Sequence, residues 1–133
     1  MLGRPEVKAW NAIISDSFAN KGTPAGSPNR IAIPVAADRE EGRRVAMALV
    51  EDTGFDAFDA GPLADSWRQQ PGAPAYCTDL TREELGSALA AADRSRLSKR
   101  RDIAWQAVAE RMGGGSVFPD GDYIVRLNRA LYM

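Results

Sequence analysis

The sequence predicts an α/β domain with a small, mainly parallel sheet and C-terminal helices packed on it. Three observations predict it. Arg30-Ile-Ala-Ile-Pro-Val-Ala36 is a short apolar run of strand type. Asp38 to Thr53 carries apolar residues at helical spacing, and Phe55-Asp-Ala-Phe-Asp-Ala60 returns to extended structure. A strand–helix–strand crossover of this length implies parallel, right-handed pairing.

Each element has its own local reason. Val7 to Ile14 is mostly apolar and suits a buried strand running into a helical turn. Asn20 to Asn29 holds two glycines, two prolines and two asparagines, so it reads as a surface loop. It is a poor phosphate cradle, because Pro24 and Pro28 remove amide donors and no Lys-Ser/Thr pair ends it. In the following helix Asp38 is placed to cap and Glu41 to complete a capping box. Val45, Ala48 and Leu49 share one face there, beside Ala46 and Val50, and Gly54 is the left-handed stop.

The second half changes character. Ser66 to Thr78 is too rich in proline and glycine for regular structure. Thr81-Arg-Glu-Glu84 is a capping box that opens a helix with Leu85, Ala88, Leu89 and Ala92 inward. Leu97, Ala104, Val108 and Met112 continue a helical stripe up to Gly113. Asp120-Gly-Asp122 starts a last helix with Ile124, Leu127 and Leu131 on one side. Residues 1–133 read as a single domain, with a strand–helix–strand region over 1–64 and a loop plus helical region over 65–133.

At 133 residues, 44% hydrophobic and 26% charged, the chain can bury a core, and the composition argues against disorder. A net charge of −1 supplies no field that draws it to nucleic acid or an anionic membrane. The basic run Arg94, Arg96, Lys99, Arg100 and Arg101 lacks interleaved aromatics and reads as a solvated helix face. There is no histidine, which removes the commonest general base and metal ligand. The single cysteine, Cys77, excludes an internal disulfide and a cysteine-cluster metal site, and reads as a small, partly buried residue. No apolar signal region opens the chain and no apolar run has membrane-spanning length, which points to a cytoplasmic protein.

Val7-Lys-Ala-Trp-Asn11, Ile31-Ala-Ile-Pro-Val-Ala36 and Gly54-Phe-Asp-Ala-Phe-Asp-Ala-Gly-Pro-Leu63, in that order and spacing, resemble the deazaflavin-dependent NADP reductases and related dinucleotide-binding oxidoreductases. The resemblance covers Val7 to Leu63 and implies a partial Rossmann-like region. Members of that family carry a glycine-rich loop upstream of these motifs, and no Gly-x-Gly-x-x-Gly occurs here. The family pattern also puts Ala-Gly-Asp-Asp where this chain has Ala36-Ala37-Asp38-Arg39. The resemblance implies NADP as cofactor. It places Asn11 near the nicotinamide, where its amide would face the carboxamide or the substrate; the alternative is an asparagine capping the turn after a strand. It makes Trp67, Arg68 and Tyr76 candidates for a substrate pocket, the aromatics stacking on a ring and Arg68 pairing an anion. The alternative for these three is packing between loop and helices.

Three functions follow as expectations. The chain is the C-terminal part of an NADP-linked oxidoreductase, unable to hold the cofactor alone because the pyrophosphate grip is missing. Alternatively it is a non-catalytic, self-associating domain, a homodimer that joins sheets or swaps its last helix to cover an unpaired edge. Or it is one subunit of a split oxidoreductase whose glycine-rich half is a separate polypeptide.

Overall fold

A computed structural model describes residues 6–133. The chain forms β1 (Val7–Lys8), α1 (Ser15–Asn20), β2 (Ala32–Ala37), α2 (Glu40–Asp52) and β3 (Asp56–Asp59). A 3-10 segment (Leu63–Gln69), α3 (Arg82–Ala90), a 3-10 turn (Arg94–Arg96), α4 (Leu97–Met112) and α5 (Gly121–Tyr132) follow. The sheet has three strands in the order β1-β2-β3. β2 and β3 are parallel, Ala32 opposite Asp56 and Val35 opposite Asp59, as the crossover requires.

β1 corrects the expectation of a mainly parallel sheet. It runs antiparallel to β2, with Val7 opposite Ala37 and Lys8 opposite Ala36, so the sheet is mixed. The six-residue α1 packs against α5 and is not laid along the sheet as a crossover helix, so the chain re-enters β2 at the end where β1 stops. β1 is also short and exposed, not a buried strand. The carbonyls of Ile31 and Val35 face β3, where they accept from Asp56 and Ala60. Alternation therefore turns Pro34 toward the β1 side, where it has no amide to offer a longer strand.

α2 covers one face of β2 and β3 through Ala46 and Val50, which join Ile33, Val35, Phe55 and Ala57 in a buried cluster. Val45, Ala48 and Leu49 instead face outward. Asp38 does not cap this helix: Arg39 is the N-cap, without a side-chain bond, and the Asp38 carboxylate accepts from the Leu63 amide at 3.0 Å. Gly54 does end it in the left-handed region, at φ +104°. A second cluster on the other side of the sheet joins Ala32, Ala75, Leu80, Leu85, Ala88 and Leu89. Its helix, α3, has the capping box of Thr81 and Glu84.

The loop expected over 66–78 begins as regular structure, because the 3-10 segment runs through Gln69. Turns then carry the chain to Leu80, whose carbonyl accepts the Ala32 amide at 2.8 Å. α4 and α5 pack on each other and α5 on α1, whereas α3 and the 3-10 segment over Leu63–Gln69 pack on the sheet. Gly72 sits at φ +97°, and a Cβ there would stand 2.2 Å from the Leu97 carbonyl oxygen.

Arg30 fastens the start of β2. It is 4% exposed and donates to the carbonyls of Thr23, Gly54 and Glu51 and to the carboxylates of Glu51 and Asp56. Arg30→Ala would strand these acceptors and should cost about 3 kcal/mol, read as a lowered urea midpoint at unchanged slope. Arg30→Lys should recover little, since one ammonium cannot span five acceptors. A loss under about 1 kcal/mol would mean that water replaces the guanidinium at little cost.

Candidate functional site

An apolar cleft of about 370 Å³ opens between the start of α1, the loop over 71–77, α4 and α5. Three parts of the chain wall it. Ile13, Ile14 and Ser15 line it where the chain enters α1. Pro71, Tyr76 and Cys77 come from the loop. α4 and α5 close the sides with Arg101, Ala104, Trp105, Val108, Ile124, Leu127, Asn128 and Tyr132. Phe118 completes the mouth, where its ring meets Trp105 edge to face at 6.4 Å. Trp105 is 60% exposed, so this aromatic pair stands at the entrance rather than in the core.

The loop that carries Tyr76 and Cys77 is held in an unusual shape. Cys77 (φ +51°) and Asp79 (φ +50°) both lie in the left-handed region, which non-glycine residues avoid. Distant side chains hold them there. The Asn128 amide donates to the carbonyls of Tyr76 and Cys77 at 3.4 and 3.3 Å. Arg129 donates to the carbonyls of Thr78 and Asp79 at 2.6 and 2.8 Å. From the other side the Cys77 amide donates to the Ala12 carbonyl. The Asp79 carboxylate accepts from Ser17 Oγ at 2.7 Å and pairs with Lys21, whose ammonium also reaches Asp122. These contacts join α1, the loop and the first turn of α5. The bond to Asp122, strengthened by Asp79, holds the Lys21 ammonium above its ordinary range.

Three polar groups in the cleft, Cys77, Tyr76 and Tyr132, are neutral at pH 7. Burial pushes the Cys77 thiol up to about 12, against a hydrogen bond from Tyr76 that lowers it. Burial, and then the neighbouring Cys77, pushes the Tyr76 hydroxyl up to about 12. Burial also raises Tyr132. Arg101 brings a formal charge to the lining, and it contacts Asp102 at 3.1 Å. The cleft therefore offers neutral donors, an apolar wall and one cation. That suits a ring-bearing ligand with an oxygen or an acid group, and it supplies no ionised nucleophile.

The structure scatters the four residues singled out in the sequence. Tyr76 lines the cleft. Trp67 lies between the guanidinium groups of Arg68 and Arg94, each 4.4 Å from the ring. Arg68 donates to the Leu89 carbonyl at the end of α3. Asn11 donates to the Gln69 carbonyl at 3.0 Å, which ties the chain after β1 to the 3-10 segment. The basic run is likewise not a purely solvated face: Arg94 stacks on Trp67, Arg100 donates to the Tyr132 carbonyl and Arg101 lines the cleft. Asn128 and Arg129 were not singled out, although an asparagine four residues after Ile124, on an apolar helix face, is a readable sign of a buried amide at work. Among the described residues no three His, Cys, Asp or Glu side chains gather as metal ligands. No helix among them is long and apolar enough to cross a membrane.

Cys77 and Tyr76 set a pH dependence. Both hold their protons longer folded than unfolded, so their contribution is fully present below the unfolded thiol value of 9.0. It is lost as pH climbs from there toward about 12, because the unfolded chain ionises first. Denaturant midpoints should fall across this window, and Cys77→Ala should flatten the fall. The native thiol should also resist 5,5′-dithiobis(2-nitrobenzoic acid) at pH 8 until denaturant is added; immediate labelling would mean that the thiol is neither buried nor un-ionised.

No protein-family model matches the chain, and no solved structure matches it. A stretch of 56 residues is 52% identical to the protein YjhV of Escherichia coli (strain K12), a name that states no activity. That match covers 42% of this chain and 41% of the relative, so the chain spans about two fifths of the length of the curated relative it matches.

Proposed function

We propose that this chain is the substrate-binding portion of an NADP-linked oxidoreductase-type protein, with the grip on the dinucleotide supplied by a separate glycine-rich strand–helix unit. One observation carries the reading. The cleft is walled mainly by apolar side chains, with Tyr76, Tyr132 and Arg101 as a few polar groups among them, which is the make-up of a small-molecule site. Hydride transfer asks the protein for position and a dry wall more than for acid–base groups, which agrees with a cleft of neutral donors in a chain without histidine. Tyr76, Tyr132 and Arg101 are the groups that would orient a ring-bearing substrate by its oxygens.

The residues present do not fit NADP itself. At the carboxyl ends of β2 and β3, Asp38 is bound to the Leu63 amide, and Arg43 to Asp59 and the Ala37 carbonyl. The turn over 36–39 has no glycine to let a pyrophosphate approach the backbone. No step is therefore routed through the cofactor on this chain.

Calorimetric titration of the chain with NADPH should give no binding tighter than about 1 mM. Riboflavin, used as a tricyclic-ring probe, should be quenched on binding, and Leu127→Trp should abolish the quenching by filling the cleft. Micromolar NADPH binding, or riboflavin quenching unchanged by Leu127→Trp with native circular dichroism, would overturn the reading.

A further inference from the structure

We infer that the outward face of α2 is a self-association surface on which a second copy of this chain packs about a two-fold axis. The inference does not depend on the oxidoreductase reading. α2 spends Ala46 and Val50 on the sheet and leaves Val45 and Leu49 49% and 50% exposed. Together with Val7 and Trp10 they edge an apolar groove of about 540 Å³ beside β1. Half-exposed aliphatic residues on a helix, facing a groove, form an unfinished contact.

The charges around that face identify its occupant. Arg44 and Asp52 stand four residues before and four residues after Ala48, on the same side of the helix. An antiparallel pairing of two α2 helices with Ala48 on the axis sets Arg44 of each copy against Asp52 of the other, twice. Neither makes an ion pair within the chain among the described residues, whereas neighbouring Arg43 is turned inward to Asp59. The small side chain of Ala48 lets the helix axes approach to about 8 Å, which brings Val45 and Leu49 into the seam. Opposite charges placed symmetrically about an alanine are what an isologous contact needs. The two-residue edge of β1 is too short to carry the contact by strand addition.

The size of the face sets the strength. α2 has 13 residues, a length of about 20 Å, and with the groove beside it the contact falls at the small end of stable interfaces. Sedimentation velocity of the wild-type chain should show a monomer–dimer equilibrium with a dissociation constant on the order of 10 µM. Leu49→Arg should shift it to monomer at least tenfold. Arg44→Asp should do the same by facing like charges, and Arg44→Asp combined with Asp52→Arg should restore the dimer. Far-ultraviolet circular dichroism should not change, since all three positions are exposed. A monomer at every concentration up to about 100 µM overturns the inference, that ceiling lying well above the expected constant. So does a dimer that neither Leu49→Arg nor the single reversal weakens, or a double reversal that fails to restore it.

Discussion

A guanidinium placed almost wholly out of water is the constraint on which the rest of this structure depends. A buried charge is tolerable only when fully partnered. Its partners come from three places: the loop before β2 at Thr23, the last turn of α2 with the Gly54 that ends it, and the first residue of β3. Glu51 is bound on both sides, since its other oxygen accepts the Ala57 amide at 2.6 Å. β2 and β3 are therefore fixed to start at the same level, and their parallel register follows. Gly22 and Gly54 make the junction possible, because a Cβ on Gly54 would stand 2.9 Å from the Gly22 Cα.

The second half is organised by the same device applied to carbonyls. α5 projects an amide and a guanidinium into the turn over 76–79 and takes up four successive backbone oxygens. Without them two non-glycine residues would not stay in the left-handed region. α5 is itself anchored at its start, where Asp120 accepts the Tyr123 amide and Asp16 the Gly121 amide. The cleft wall, the strained loop and the packing of α1 are thus one mechanical unit, and its rigidity comes from hydrogen bonds between residues 50 to 105 positions apart.

Local signals made β2, α2 and β3 legible in the sequence, as they did the capping box at Thr81 and the glycine stops at 54 and 113. Two things were not legible there. The first is the direction of β1, because a two-residue strand has no period to read and its pairing is decided by where α1 leaves the chain. The second is which face of α2 is buried. The pairs Val45/Leu49 and Ala46/Val50 are both apolar at helical spacing and lie one residue, about 100°, apart. Only contact with the sheet chooses between them, and it chooses the pair that includes the smaller residue. Of the candidate site, Tyr76 was readable as pocket-facing. Trp67 and Arg68 were readable only as polar-aromatic residues in a loop, and Asn11 only as an amide at the turn after a strand. Their partners, Arg94, the Leu89 carbonyl and Gln69, are set by the fold.

The choice of face on α2 has a consequence for the whole molecule. Burying alanine and valine brings the helix close to the sheet, which lets Arg43 reach Asp59 and close the strand ends. The same choice displaces valine and leucine to the surface. Closing that end of the sheet to ligands and leaving an apolar stripe on the helix are thus two results of one packing decision. The cleft is built from the chain after β1, the loop over 71–77, α4 and α5, none of which belongs to α2. A contact on α2 therefore leaves the aromatic mouth of Trp105 and Phe118 free. Binding at the cleft and association on α2 share no residue through which one would have to change the other.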